Sequence, residues 1–394
     1  MSHKALTVDS TTLYLTALAT LSPPPPQSLS SPLSPLPTSL PSSKLIPKTR
    51  FVIDSFRFAG DHSVSYFLSH FHSDHYTGLN PNWSKGVIYC AHPTARLIEQ
   101  ILKILPLSIV PLSLNNAVLI DGCEVTLIDA NHCPGAVQLL FKVPGEENGK
   151  FEKYVHTGDF RYCESMKLEP GLSEFIFADA VFLDTMYCNP KFMFPSQEES
   201  IDYIVGVIER IGVENEGNLK SVLFLVATCV IGKERILLEV SCRCKRKIHV
   251  DGRKMSILNI LGFGDEAVFT EVESESDVHV VGWNVLGETW PYFRPNFVKM
   301  KEIMNERGYS KVVGLFRLGG LMKLSSTMKF LKPKRVIPTV GLDVEKLDSK
   351  HVNAMKKHFS GLVDEMALKQ EFLMGFHHRG QDFMRSVETN AVMS

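Results

Sequence analysis

The sequence lacks three features, each of which would indicate a particular class of protein. Its eight cysteines form no paired CxxC framework, which argues against a disulfide scaffold and favours reduced thiols in the cytosol or nucleus. Basic residues are not in excess, because 42 Lys and Arg stand against 43 Asp and Glu. A polyanionic partner would therefore need a local groove or a bound metal ion. No apolar run approaches the roughly 18 residues of a membrane span, so no membrane partner is expected.

The N-terminal part differs in composition from the rest. Between Ser22 and Ser43 the chain is almost wholly Ser, Pro and Leu, a composition that cannot close a core. We therefore predict a disordered tail over residues 1–45. A signal peptide is not expected, because the apolar stretch from Thr11 to Leu21 is short and is followed by prolines; an organellar transit segment is the alternative.

After Lys44 the apolar pattern alternates between strand and helix periods. The predicted strands are 51–56, 63–70, 86–90, 124–130, 136–143, 153–158, 180–185, 221–230, 246–251, 311–316 and 335–340. Helices are predicted over 92–104, from 197 to about 211, and over 232–244. With 394 residues the chain is long enough for two domains in which sheets are layered with helices.

The motif SHFHSDH at residues 69–75 is the strongest chemical signal. It follows a buried strand, and a tight turn there can fan His70, His72, Asp74 and His75 around one point. Imidazoles and carboxylates suit zinc or a similar divalent ion. A solvated His-rich loop is the alternative, but four potential ligands in six residues favour a metal site.

Three later strand ends carry further candidate residues. His132 lies in NHCPG, Asp159 in HTGD, and Asp184 in FLDT. Taken singly, His132 could be a core histidine, and the two aspartates could be turn or cap residues. Their order after the first motif makes a shared metal site the better interpretation.

The same segments carry a resemblance to a known family. The order HxHxDH, then NHCPGA, HTGDFR and LDTMYCNP resembles the metallo-β-lactamase fold in its β-CASP branch. Longer strings are similar to the DNA cross-link repair nucleases, the family of Artemis and Apollo, and most of all to its plant member: SHFHSDHYTGL, ANHCPGAV, YVHTGDFR, YCNPKFMFPSQEE and FLKPKRVIPTV. The similarity runs from about Lys44 to about Phe376.

This resemblance implies an α/β fold, a metallo-β-lactamase αββα sandwich with an inserted β-CASP α/β domain. The expected boundaries are 46–195 for the first part of the sandwich, 196–330 for the insertion, 331–376 for the return to the sandwich and 377–394 for a flexible tail. The implied ligands are His70, His72 and His132 for one ion, Asp74 and His75 for a second, and Asp159 as the bridge. The residues implied in catalysis are Asp74, Asp159 and Asp184.

By the same resemblance, the chain is expected to be a 5′ to 3′ DNA exonuclease of interstrand cross-link and double-strand break repair. Its cofactor would be a divalent metal, with zinc preferred, and its substrate damaged DNA with 5′-phosphorylated ends. Repair proteins are further candidate partners, and a nuclear monomer is expected. The chemistry agrees, because two divalent ions can clamp a phosphate and activate a water molecule that Asp74 would orient.

The predicted DNA contacts come from the insertion. Ser196 and Glu199 form a capping box at the start of its first helix, and a basic stretch follows from residue 233 to 254. Lys233 lies at a strand-to-helix turn where anions are favoured, and Arg235 follows it. A solvated helix face is the alternative interpretation, and the acidic run from Asp265 to Asp277 is expected to be a loop turned away from DNA.

One departure from the family pattern concerns the second ion. Family members carry a Pro-Tyr-Ser-Glu-His-Ser segment before the last strand, whereas this chain has no histidine between His279 and His351. A frameshift followed by a deletion that restores the reading frame would explain the residues found at 315–329. Three origins of this change stay open: a genomic change, a splice variant and a gene-model error. We expect the first metal site to survive and the nuclease to be strongly impaired. A non-catalytic repair relative and an RNA-processing β-CASP hydrolase are the alternative functions.

Overall fold

The computed structural model describes residues 6–8, 33–147, 149–185, 195–214, 221–288, 294–315, 324–339 and 363. Its strands, in chain order, are β1 (Leu6–Val8), β2 (Phe51–Ile53), β3 (Ser65–Phe67), β4 (Val87–Ala91), β5 (Ile109–Leu112), β6 (Val118–Ile120), β7 (Cys123–Asp129), β8 (Val137–Pro144), β9 (Phe151–His156), β10 (Ala180–Leu183), β11 (Val222–Thr228), β12 (Ile248–His249), β13 (Phe269–Thr270), β14 (Val278–Gly282), β15 (Gly287–Glu288), β16 (Arg294–Pro295), β17 (Lys311–Leu315) and β18 (Val336–Pro338). Its α-helices are α1 (Ser73–Tyr76), α2 (His92–Gln100), α3 (Pro170–Ser173), α4 (Gln197–Glu214), α5 (Glu234–Cys244), α6 (Gly252–Leu261), α7 (Trp283–Leu286), α8 (Phe297–Glu306) and α9 (Leu324–Leu331).

Two sheets pack face to face in the first part of the chain. One has the strand order β1-β6-β7-β8-β9-β10-β18 and the other the order β2-β3-β4-β5. Successive residues of a strand point to opposite faces, and Phe67 of β3 points towards the larger sheet, where its ring lies 5.4 Å from that of Phe141 on β8. Its neighbour Leu68 instead joins the outer core with Leu97 and Ile98 of α2. The result is a two-sheet sandwich with helical layers outside.

A third sheet lies between β10 and β18 in the sequence. It is fully parallel, with the order β13-β12-β14-β11-β17. Phe224 of β11 packs with the core formed by α4 and α5, whereas Leu225 packs on the opposite face with Met300 and Ile303 of α8. Helices therefore cover both faces, as a parallel sheet requires. Because β18 pairs with β10, the chain returns to the large sheet after this excursion.

At residues 6–8 and 33–45, which are the described part of this segment, the structure differs from the disorder predicted over residues 1–45. Leu6–Val8 pairs in parallel with β6, and Leu40 is buried in the outer core of the sandwich. A 3₁₀ helix, Ser42–Lys44, leads into β2. The Ser/Pro-rich composition hid the burial of Leu40, since a single apolar residue can dock on a core that the rest of the chain has already formed.

Each predicted strand and helix lies within a few residues of an observed one. The capping box is also present, because the Glu199 N–H donates to Ser196 Oγ at 3.1 Å and the Ser196 N–H to Glu199 Oε2 at 2.6 Å. The predictions missed the strands β1, β5, β6 and β13 to β16 and the helices α1, α3 and α6 to α9, most of which are five residues or shorter. The acidic run after Asp265 is not simply a loop, because it contains β13 and the 3₁₀ helix Glu273–Glu275.

Within the parts of the chain that the structure describes, no helix is long and apolar enough to cross a membrane. The predicted tail at 377–394, most of the return segment 331–376, and residues 316–323 of the predicted junction lie outside the described residues. The domain boundaries therefore stay predictions.

Candidate metal centre

Four of the predicted ligands meet at one edge of the sandwich. His70 and His72 follow β3, His132 follows β7, and Asp159 follows β9. One ligand atom from each of the four lies within 4.8 Å of the others. His72 Nδ1 is 2.8 Å from His70 Nε2 and 3.2 Å from His132 Nε2. Three separate strand ends thus deliver ligands to one point.

The hydrogen bonds of two imidazoles show which ring nitrogens face this point. His72 Nε2 lies 3.0 Å from the carbonyl oxygen of Ile231, which can only accept, so Nε2 carries the proton and Nδ1 has a lone pair. Ser69 Oγ donates to Asp54 at 2.7 Å and lies 2.9 Å from His70 Nδ1. In this arrangement His70 Nδ1–H donates to the hydroxyl, and Nε2 has the lone pair.

Two lone pairs therefore face each other across the 2.8 Å between His70 and His72. Such a pair repels unless a cation lies between the atoms or beside them. Asp159 Oδ2, at 3.8 Å from His70 Nε2 and 3.6 Å from His132 Nε2, adds negative charge to the same point. The donor set, three neutral imidazoles and a carboxylate, fits zinc or a similar divalent ion.

A second group of donors lies on the other side of Asp159. His75 Nδ1 donates to Asp54 Oδ2 at 2.8 Å, and its Nε2 faces Asp159 Oδ1 at 3.3 Å and Asp74 Oδ2 at 3.6 Å. Asp159 thus presents Oδ2 to the first group and Oδ1 to the second. This is the geometry that a bridging carboxylate needs.

Burial sets the charge state of the first group. It lowers the pKa of His70 well below its usual range, lowers that of His72, and lowers that of His132 to about 3. Burial alone would raise the pKa of Asp159, but the hydrogen bond and charge of His75 outweigh it and lower that pKa to about 2. Neutral imidazoles and an ionised carboxylate are the forms that bind metal.

His75 and Asp54 behave as a charged pair. Burial lowers the pKa of His75, but the charge of Asp54 and the hydrogen bonds to Asp159 and Asp54 raise it to about 10. Burial raises the pKa of Asp54, and the charge and hydrogen bond of His75 hold it well below its usual range. Asp54 therefore remains ionised and orients the imidazole, as an outer carboxylate does in many histidine metal sites.

The third sheet reaches the metal centre through the loop that contains Ile231. A buried ion pair holds this loop, since Lys254 Nζ lies 2.7 Å from Glu234 Oε1 and both side chains are no more than 5% exposed. Lys254 Nζ also donates to the carbonyl of Val230 at 3.2 Å, and the Gly232 N–H donates to Glu234 at 2.8 Å. The carbonyl that fixes the tautomer of His72 is thereby fixed itself.

The other predicted residues lie elsewhere. The backbone N–H of Asp184 donates to Thr157 Oγ1 at 3.0 Å, and its carboxylate is not among the four gathered donors. Lys233 Nζ donates to the carbonyl of Ala227 at 3.1 Å and lies 3.4 Å from the ring centroid of Trp283. Arg235 pairs with Glu198 at 2.9 Å on the surface. Their catalytic and DNA-binding roles stay predictions.

Sequence reasoning missed the residues that position the ligands, namely Asp54, Ser69 and the carbonyl of Ile231. Asp54 had a signal, because it is a charged residue inside the apolar run FVIDSF, and buried charges need partners. Ser69 lies inside the motif itself. The role of Ile231 had no signal, since a backbone carbonyl is independent of residue type.

Comparisons with known proteins identify the family. The DNA cross-link repair protein SNM1 of Arabidopsis thaliana is 32% identical over an alignment of 332 positions, gaps included, that covers 77% of this chain and 66% of that protein. The chain belongs to the DNA cross-link repair nuclease family. Another relative, the 5′ exonuclease Apollo of Danio rerio, is 33% identical over 62% of this chain and 42% of its own length. The family predicted from the sequence is confirmed.

A further relative carries a different name. DNA ligase 6 of Arabidopsis thaliana is 56% identical over an alignment of 412 positions, gaps included, that covers 96% of this chain and 28% of that protein. The chain thus spans less than two thirds of each of these three cross-link repair and ligase relatives. A solved structure of a protein of unknown function from Enterococcus faecalis covers 72% of this chain and 76% of its own, with a TM-score of 0.50 and 15% identity. No protein-family model matches the chain.

Proposed function

We propose that this chain is a metal-dependent DNA phosphodiester hydrolase of the 5′ to 3′ exonuclease type, acting in the nucleus on interstrand cross-links and double-strand breaks. The observation that carries the proposal is the position of Asp159, which turns one oxygen to the group of His70, His72 and His132 and the other to His75. Two-metal hydrolysis of phosphodiesters needs such a bridge between adjacent ions. The DNA substrate rests on the relatives named for cross-link repair and 5′ exonuclease activity.

Each of the site residues would have a different role in the hydrolysis. Divalent ions, with zinc preferred by this donor set, would polarise the phosphate and lower the pKa of a bound water molecule when they are present. Asp74, whose side chain is 74% exposed beside His75, can accept a hydrogen bond from that water and orient it. Asp54 and Ser69 orient the imidazoles of His75 and His70. Asp184 is proposed to act from the neighbouring strand end.

The parallel sheet supports a β-CASP assignment for residues 196–330. It is an α/β unit inserted between β10 and β18, which are neighbours in the large sheet, and it contributes the Ile231 carbonyl to the metal centre. Lys233 and Arg235 lie on the same loop and helix, and we propose that they contact the phosphates of DNA. Arg235 is half exposed, so its ion pair can be exchanged for a phosphate at little cost.

The second donor group supports the expectation of impaired activity. His75 Nε2 has Asp74 and Asp159 within 3.6 Å, and the segment that supplies a further histidine in the family is absent from the sequence. A non-catalytic repair relative is therefore the second candidate function. Ligase activity is not extended to this chain, because the similarity covers only 28% of DNA ligase 6.

The test is an exonuclease assay on the purified chain. We expect slow, metal-dependent release of mononucleotides from 5′-phosphorylated single-stranded DNA, with less from 5′-hydroxyl DNA and none from RNA of the same sequence. A His72→Ala variant serves as the control, because it removes a ligand of the first group and should abolish the release. Bound metal without any cleavage would support the non-catalytic relative, and preferential cleavage of RNA would contradict the proposal.

A further inference from the structure

A second histidine cluster lies in the parallel sheet, remote in sequence from the metal centre. His249 ends β12 and His279 lies on the adjacent β14, and the two are paired in register. Their ring centroids are 4.6 Å apart. Glu273, in the 3₁₀ helix before β14, completes a group in which one ligand atom from each residue lies within 4.8 Å of the others. The cluster has the composition of a metal site.

The hydrogen bonding of His279 leaves one ring nitrogen available as a ligand. Its Nε2 lies 2.8 Å from the carbonyl of Ser276, which can only accept, so Nε2 carries the proton and Nδ1 has the lone pair. A ring N–H donated to a backbone carbonyl is the usual support of a metal-binding histidine. His279 is fully buried, so its ring is fixed in this orientation.

His249 gives an independent indication of a missing ligand. The residue is 8% exposed, and its Nδ1 is buried without a hydrogen-bond partner among the described residues. Buried polar atoms are nearly always paired, and an unpaired one destabilises the fold. Burial lowers the pKa of both His249 and His279, so both rings are neutral, which is the form that binds a metal.

A cation already lies beside the cluster. The Arg307 guanidinium donates to His279 Nδ1 and pairs with Glu273 at 2.7 Å. This contact shows that the site attracts positive charge, but no contact of Arg307 satisfies His249 Nδ1. The side chains of Arg307 and Glu273 are 22% and 52% exposed, so the guanidinium can move to solvent while Glu273 remains.

We propose that His249, Glu273 and His279 bind a divalent transition metal ion, with zinc favoured, and that Arg307 takes the position of the ion when the metal is absent. Two imidazoles and a carboxylate are a common zinc donor set, and water can fill the fourth position. The ion would join β12 and β14 to the segment that follows β13. It would therefore stabilise one edge of the parallel sheet.

The test measures zinc per chain in a background without the first metal group. The full-length double variant His72→Ala/His132→Ala should retain one zinc equivalent by elemental analysis after dialysis. Adding Glu273→Gln should weaken the remaining site at least tenfold. Glu273 is exposed enough for this change to leave the fold intact. His62→Gln is the matched control, because His62 is also buried with an unpaired Nε2 but belongs to no group of candidate metal ligands among the described residues. This variant should leave the zinc content unchanged.

The Arg307→Gln variant distinguishes a metal site from a cluster that Arg307 occupies permanently. The proposal expects tighter zinc binding in this variant, together with the visible absorption of a nitrogen- and oxygen-bound ion when cobalt replaces zinc. Lower thermal stability without any gain in zinc affinity would overturn it, as would an unchanged zinc content in the Glu273→Gln background. Nuclease activity of the single Glu273→Gln variant should equal that of the parent chain, so failure here is distinct from failure of the proposed nuclease.

Discussion

The two halves of the metal centre meet at Asp159 but are not equally complete. The first half collects His70, His72 and His132 from separate strand ends, and its imidazoles are fixed by Ser69 and by the Ile231 carbonyl. The second half has His75 and Asp74 from one short helix, α1. The first half thus depends on the sandwich, whereas we propose that the second half is completed in family members by a segment that this sequence does not contain. A motif can therefore identify the family without specifying a complete site.

Asp159→Asn should have the largest effect, because it changes both halves at once. An amide binds a divalent ion more weakly than a carboxylate and removes a negative charge shared by the two groups. We expect any nuclease activity to fall by at least about a thousandfold, equivalent to about 4 kcal/mol in the activation barrier, and bound zinc to fall in parallel. Asp61→Asn, on an 87% exposed side chain, is the control. Loss of only one zinc equivalent would show that Asp159 is not a bridge.

Lys254→Met tests how far the first half depends on the inserted sheet. The change leaves Glu234 as an unpaired buried carboxylate, which costs about 3–5 kcal/mol of unfolding free energy, and it releases the loop that carries Ile231. Urea denaturation would measure the loss. Lys247→Met is the matched control, because the Lys247–Glu275 pair is exposed and contributes about 0–1 kcal/mol. Equal losses in the two variants would mean that the buried pair does not hold the loop.

The residues of the metal centre also differ in how well the sequence could predict them. His70, His72, His132 and Asp159 were predictable because each follows an apolar run, and strand ends of one sheet edge lie close in space. Asp54 was not identified, since one carboxylate inside a short strand does not show which imidazole it contacts. The pairing of Leu6–Val8 with β6 was also missed, because a strand of three residues is too short to show a period of its own in the sequence.

Restoring the segment at the 315–329 junction should give the second half of the metal centre a complete set of ligands, as the first half already has. A chimaera that carries a Pro-Tyr-Ser-Glu-His-Ser segment from a full-length relative should gain a ligand for the second ion. We expect activity to rise about a hundredfold, in the range by which a lost metal contact changes affinity or rate. A control chimaera with Ala in place of the inserted histidine should show no gain. If both chimaeras gain equally, the segment contributes to DNA binding and not to the metal.

Asp54→Asn should have the smallest effect and the most specific one. Asp54 Oδ2 accepts hydrogen bonds from both His75 Nδ1 and Ser69 Oγ, so it supports the second half directly and the first half only through Ser69 and His70. We expect an about 10- to 100-fold loss of metal affinity at the second half and a smaller loss at the first. Ser69→Ala should reverse this order, because it removes the hydrogen-bond acceptor of His70 Nδ1 and leaves the Asp54–His75 contact in place. Zinc titration of both variants measures the two affinities. Equal losses of zinc affinity at both halves in the Asp54 variant would show that the two ions bind as one unit. The two halves would then differ only in how many ligands each contains.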